Sequence, residues 1–178
     1  MSKLILSNGR NPYVLRPVLT NFIKSFEGLH DGDKKTPLLE PQLCPAKFWT
    51  YGYGKRCIID GISLHSGNCK KDDPKLKLFD LSSEHEAVLC LERDIMIFAK
   101  GVASRLNVDI EVHQFEVLIS HAYNCGYSQT LYALLNSGQN KGFVANWIRN
   151  HYIKSGFKVL KGLVTRRNRE AAIFCNGW

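Results

Sequence analysis

Residues 44–54, CPAKFWTYGYG, set a thiol, a hydroxyl and two glycines among four aromatic side chains, Phe48, Trp49, Tyr51 and Tyr53. Aromatic and β-branched residues suit strands, and Gly52, Gly54 and Gly61 break the run where turns are needed. Residues 48–65 therefore read as short hairpin strands. The stretch looks reactive, yet nothing in it moves a proton readily at neutral pH, since an unperturbed cysteine has a pKa of about 8.5.

Working outward, Asn11-Pro12 and Arg16-Pro17 oppose helix, so residues 1–16 read as an irregular arm. Pro17 suits a helix start. Leu19, Phe22, Ile23 and Phe26 follow helical spacing, and Gly28 suits the C-terminal cap. Residues 29–43 are polar and proline-bearing, hence loop, and residues 70–77 read as a charged, solvated loop. Ser83 with Glu86 then forms a capping box. Val88, Leu91, Ile95, Phe98 and Val102 mark one face of a long helix. A second helix uses Val112, Phe115, Leu118, Ile119 and Ala122 and ends at Gly126, and further helical pieces cover 128–136, 141–153 and 163–175. The expected fold is α+β and predominantly helical. One domain, 1–178, comprises an arm (1–16), a small hairpin-containing lobe (17–82) and an all-helical lobe (83–178) begun by the long helix.

With 178 residues, 44% of them hydrophobic, the chain can bury a sizeable core. No apolar run approaches bilayer length, and the first residues lack a secretory signal, so a cytoplasmic site of synthesis is expected. Lys and Arg exceed Asp and Glu by eight, which suits an anionic partner, but no nucleic-acid motif accompanies the charge. Six cysteines, at 44, 57, 69, 90, 125 and 175, are expected to be reduced thiols. Cys57 and Cys69 are the pair to suspect in an oxidising compartment. With His65 they form part of a zinc-like set, but the spacing is wrong and a fourth ligand is not obvious. No metal or cofactor is expected.

Glu27 is the most informative acid. It stands four residues after Ile23, at the end of an apolar helical stripe, where partial burial and the negative end of the helix dipole disfavour ionisation. A carboxyl group that keeps its proton is what a general acid needs. The plainer reading is a surface Glu paired with Lys24. Cys44 and Thr50 gain meaning only beside Glu27, because a cysteine among aromatics is usually a small buried hydrophobe.

SFEGLH (25–30) followed by CPAKFWTYGYG resembles the opening signature of the phage-type lysozymes, the endolysins of glycoside hydrolase family 24. That signature has a Glu in an FEG turn, then Asp or Cys, five residues, a Thr and a glycine-bearing hairpin. HQFEVLISHAYNCG (113–126) is similar to the family's helix ending in Asn-x-Gly, and GLVTRRNREAAIF (162–174) to its closing helix. The resemblance implies a lysozyme-like fold and cleavage between N-acetylmuramic acid and N-acetylglucosamine. Glu27 would be the general acid, Cys44 would fill the Asp/Cys position and Thr50 would help hold the attacking water. Asn124 would be the helix-end amide, with Arg166 or Arg167 at the basic position. For that arginine a structural salt bridge is the competing reading. Tyr53 and its aromatic neighbours would offer faces for sugar rings.

Two departures stand out. The segment between Glu27 and Cys44 is longer than the family usually carries, and Lys55 follows GYG where relatives often have His. The missing second carboxylate leaves three readings: Cys44 as a thiolate base or nucleophile, Cys44 and Thr50 positioning water, or a substitute acid among Glu40, Asp31 and Asp33. The second is preferred. Alternatives are a lytic transglycosylase giving 1,6-anhydro products and a non-catalytic peptidoglycan-binding module. By the resemblance the partner is bacterial peptidoglycan, not nucleic acid, and the protein is a monomer without stable membrane insertion. It would accumulate in the host cytoplasm and reach the wall through a holin-type release partner.

Overall fold

The structure is a computed structural model that describes the backbone of Lys3–Leu4 and all of residues 13–178, so the expected break at Asn11-Pro12 lies outside the described residues. In chain order the elements are β1 (Lys3–Leu4), α1 (Pro17–Glu27), β2 (Gln42–Leu43), β3 (Trp49–Tyr51), β4 (Lys55–Arg56), β5 (Ile58–Ile59) and β6 (Ile62–Ser63). A 3-10 helix (Pro74–Phe79), α2 (Glu84–Ala103), β7 (Ile110–Glu111), α3 (Val112–Cys125), α4 (Gln129–Asn136) and α5 (Lys141–Asn150) follow. The chain closes with β8 (Lys154–Ser155), β9 (Lys158–Val159) and α6 (Lys161–Asn176). Two compact units result: Thr20–Asp94, and Met1–Leu19 with Ile95–Trp178. The divisions fall inside α1 and α2, not at residues 17 and 83, because each helix runs through the point where its surroundings change.

In the Thr20–Asp94 unit, Phe22, Ile23 and Leu91 are buried helix residues at the spacing their sequences foretold, whereas on the long helix Ala87 is buried and the expected Val88 is half-buried. Lys24 pairs with Glu84 at 2.9 Å. The strands form a three-stranded antiparallel sheet, β2-β3-β4, and a separate hairpin, β5-β6. A small core gathers Trp49, Cys57, Leu64, Cys69 and Leu76, with Leu43, Tyr51 and Phe79 packed on it. The indole N–H of Trp49 donates to the Cys69 carbonyl at 2.9 Å. Cys57 and Cys69 are free thiols inside this core, and burial, then the neighbouring Cys69, pushes Cys57 up to about 12. The expected loop at 70–77 is half helix. Asp73 caps the 3-10 turn by accepting from the Lys75 N–H, Pro74 supplies the first position, and Leu76 is buried.

The other unit is built on α3. Nine of its residues, among them Phe115, Glu116, Leu118, Ile119 and His121, are buried, so this helix is enclosed rather than amphipathic. α6 packs on both α3 and α5. Lys3–Leu4 pairs antiparallel with β7, which makes part of the expected irregular arm a strand. The helix expected over 141–153 stops at Asn150, and Tyr152 adopts a left-handed conformation at φ 57° before the β8–β9 hairpin. That hairpin was not foreseen.

Candidate active site

Glu27 is the last residue of α1 and half-buried. Gly28, at φ 70°, ends the helix with its N–H on the Lys24 carbonyl at 3.2 Å. The reversal brings His30 to the hairpin, where its N–H donates to the Gly52 carbonyl at 2.8 Å. Gly54 lies against the acid: a β-carbon on it would stand 3.4 Å from Glu27 Oε2.

The register explains why Cys44 and Thr50 are six apart. Gln42 pairs with Thr50 and Leu43 with Trp49. Beyond them the Cys44 N–H donates to the Phe48 carbonyl at 2.8 Å, and the Lys47 N–H closes the turn on the Cys44 carbonyl at 2.8 Å. Side chains alternate along a strand, so Cys44, two residues past Gln42, shares a face with Gln42 and Thr50. Leu43, Trp49 and Tyr51 take the opposite face, toward the small core. Cys44 is a free, half-buried thiol.

Thr50 is only 4% exposed. Its hydroxyl donates to the Gln42 carbonyl at 3.0 Å and lies 2.8 Å from His30 Nδ1. Burial lowers the His30 pKa, while the Glu27 charge acts in the opposite sense. His30, which the sequence reading passed over, thus bonds Thr50 and feels the Glu27 charge. Its one signal was a titratable side chain three residues after a helix-terminal acid.

The remaining expected residues fall as follows. Tyr53 is buried, with its hydroxyl donating to Glu84 at 2.7 Å and the Lys24 ammonium 5.1 Å above its ring. With Trp49 also enclosed, the aromatic run props the hairpin more than it presents a platform. Lys55, standing where relatives often have His, pairs with Asp94 on α2 at 2.6 Å. Asn124 and Arg166 belong to the other unit. Arg166 is buried and donates to Glu170 at 3.3 Å and to the Ser120 carbonyl at 3.2 Å. Arg167, fully buried, donates to both Glu170 and Asn124. For the arginines this is the salt-bridge geometry of the competing reading. Of the substitute acids, Asp33 and Glu40 line a cavity of about 400 Å³ with Lys71, Asp72 and Asp80, which none of Glu27, Cys44 and Thr50 lines. Asp31 Oδ1 is buried without a hydrogen-bond partner.

This arrangement sets a carboxyl group against the hairpin turn, an imidazole on a hydroxyl, and a thiol on that hydroxyl's strand face, a set suited to acid-assisted bond cleavage by a held nucleophile. The chain matches the Phage lysozyme family model over residues 24–170. It is 35% identical over 161 residues to the endolysin of Bacillus phage B103, covering 88% of this chain and 52% of that protein. It is 34% identical to the endolysin of Bacillus phage PZA, covering 88% and 53%. The chain thus spans about half the length of these curated relatives. Among solved structures, the endolysin from Escherichia coli O157:H7 phage FAHEc1 superposes with a TM-score of 0.69 at 26% identity, over 95% of this chain and 98% of that one. A P22 lysozyme mutant, 20% identical, shares the fold with a TM-score of 0.65 over 92% and 99%. With a family match that begins three residues before Glu27 and runs to Glu170, the chain belongs to the phage lysozyme family.

Proposed function

We propose that the protein is an endolysin with muramidase activity, hydrolysing the β-1,4 bond between N-acetylmuramic acid and N-acetylglucosamine in bacterial peptidoglycan. The observation that carries this reading is the placement of the Glu27 carboxyl against Gly54, with Thr50 and Cys44 on one face of the adjoining strands. Glu27 donates its proton to the leaving glycosidic oxygen as the C1–O bond breaks. Water held near Thr50 and Cys44 gives its oxygen to C1 and releases its surplus proton to solvent. Glu27 is the acid this reading assigns, while Asp33 and Glu40 line a separate cavity.

That single acid also favours a second reading, a lytic transglycosylase in which the muramic 6-hydroxyl attacks internally and no water need be held. Mass spectrometry of muropeptides released from purified peptidoglycan separates the two. Reducing-end muramic acid, lost in Glu27→Gln by a factor of roughly 10² to 10⁴, is the expected result. 1,6-anhydro ends would replace hydrolysis with transglycosylation. No released saccharide would return the protein to peptidoglycan binding without cleavage.

In this reading the enzyme acts as a monomer. It accumulates in the host cytoplasm and meets the wall after a separate holin-type partner opens the membrane. Among the described residues no helix is long and apolar enough to cross a membrane, so the chain carries no helical span of its own there.

A further inference from the structure

We infer that His30 is a positioning residue that locks the Thr50 hydroxyl as a pure acceptor toward the reacting water. This rests on the hydrolase reading above and deepens it. A threonine hydroxyl has one proton and two lone pairs, and a backbone carbonyl can only accept. The 3.0 Å contact to the Gln42 carbonyl therefore uses the Thr50 proton. The 2.8 Å contact to His30 Nδ1 is then a hydrogen bond only if Nδ1 carries hydrogen. One lone pair of Thr50 accepts from His30, and the other is the sole position left. A water molecule there must give its own hydrogen to Thr50, which turns an oxygen lone pair away from the hydroxyl and toward a sugar carbon.

The lock is built, not incidental. His30 is clamped to the hairpin twice, by its backbone N–H on Gly52 and by its ring on Thr50. Thr50 is nearly buried, so these two protein partners fix its rotor and leave one acceptor position for a single water. With Nδ1 protonated, the ring's other nitrogen, Nε2, holds the lone pair of the neutral form.

The test has two arms. Long-range ¹H–¹⁵N correlation on the parent protein at pH 7 reads the tautomer directly, with or without substrate. Hydrogen on Nδ1 is expected, and hydrogen on Nε2 overturns the proposal while leaving the hydrolase reading intact. The second arm is kinetic, on soluble peptidoglycan fragments. His30→Ala should lower kcat by up to roughly 100-fold with little change in KM, because it misplaces water rather than sugar. His30→Asn, whose amide N–H can reach the Nδ1 position, should recover most of that loss. In a Thr50→Val background His30→Ala should cost nothing more. Additive losses, or His30→Asn as slow as His30→Ala, would sink the lock. If His30→Ala does not fold, the tautomer and the His30→Asn rates still decide. A parent that releases no saccharide would remove the hydrolase reading and this proposal together.

Discussion

Glu27 and Gly54 constrain each other. Gly54 holds φ 85°, a left-handed value that an L side chain adopts at a cost of about 1–2 kcal/mol. An added β-carbon would also rest against the Glu27 carboxylate. Gly54→Ala should therefore lower stability by that amount and reduce kcat by up to roughly tenfold, since relief of the strained turn would shift the hairpin on which the acid rests. Thermal melts with rate measurements on the folded fraction check both parts, and an unchanged kcat would mean the carboxylate does not need its present seat. The strand face that Cys44 and Thr50 share was legible because their spacing is local and the register follows a two-residue period. His30 was not. Its role arises from a ring-to-hydroxyl bond across twenty positions, and no periodicity encodes that. Tyr53 is likewise tied by a contact far along the chain, its hydroxyl donating to Glu84.

Among the elements, the helices were read best, because apolar spacing and caps are properties of neighbouring residues. α2 begins where Ser83 accepts the Glu86 N–H at 3.3 Å, although Glu86 reaches back to the N–H of Ser82 instead of Ser83. The short strands and the 3-10 turn were harder, since two-residue pairings are decided by packing partners far along the chain. Gly101 shows propensity losing to packing. In mid-helix, alanine normally gains about 0.8–1 kcal/mol over glycine. Here a β-carbon would lie 2.0 Å from the Tyr127 hydroxyl oxygen and within 2.8 Å of its ring. That ring is fixed between Phe98 and the Arg105 guanidinium, 3.9 Å from the latter. Gly101→Ala should thus destabilise the protein by about 1–3 kcal/mol instead of stabilising it. Denaturant melts of Gly101→Ala, alone and with Tyr127→Ala, check this, with the second change relieving the first.

On the scale of the whole molecule, charge acts at both extremes of burial. His121 is enclosed among Trp147, Tyr152 and Cys125. Burial, and then the charges of Arg167, Arg166 and His151, lower its pKa to about 3. An unfolded chain takes up that proton near the ordinary value of about 6.5. The unfolded state then binds more protons between the two values, so stability falls as pH drops from about 6.5 toward 3. Unfolding free energies of the parent and His121→Leu over that range should converge as the parent loses its advantage. At the surface, the excess of eight positive charges should favour encounter with anionic walls. Added salt should therefore slow lysis of whole cells more than cleavage of a small soluble oligosaccharide, and equal slowing on both would discount the charge.

The buried Glu116 carboxylate takes donors from Tyr13, Arg16 and Trp178. Those three residues stand at positions 13, 16 and 178, so a chain growing from the ribosome makes two of them before the Thr20–Asp94 segment and the third well after it. The unit that holds Glu116 is also discontinuous, drawing on segments before Thr20 and after Asp94. Thr20–Asp94, by contrast, is one unbroken segment and has all its residues well before residue 178 is added. The order of translation thus presents the segment carrying Glu27, His30, Cys44 and Thr50 first, and leaves the buried carboxylate short of its last partner until residue 178 has left the exit tunnel.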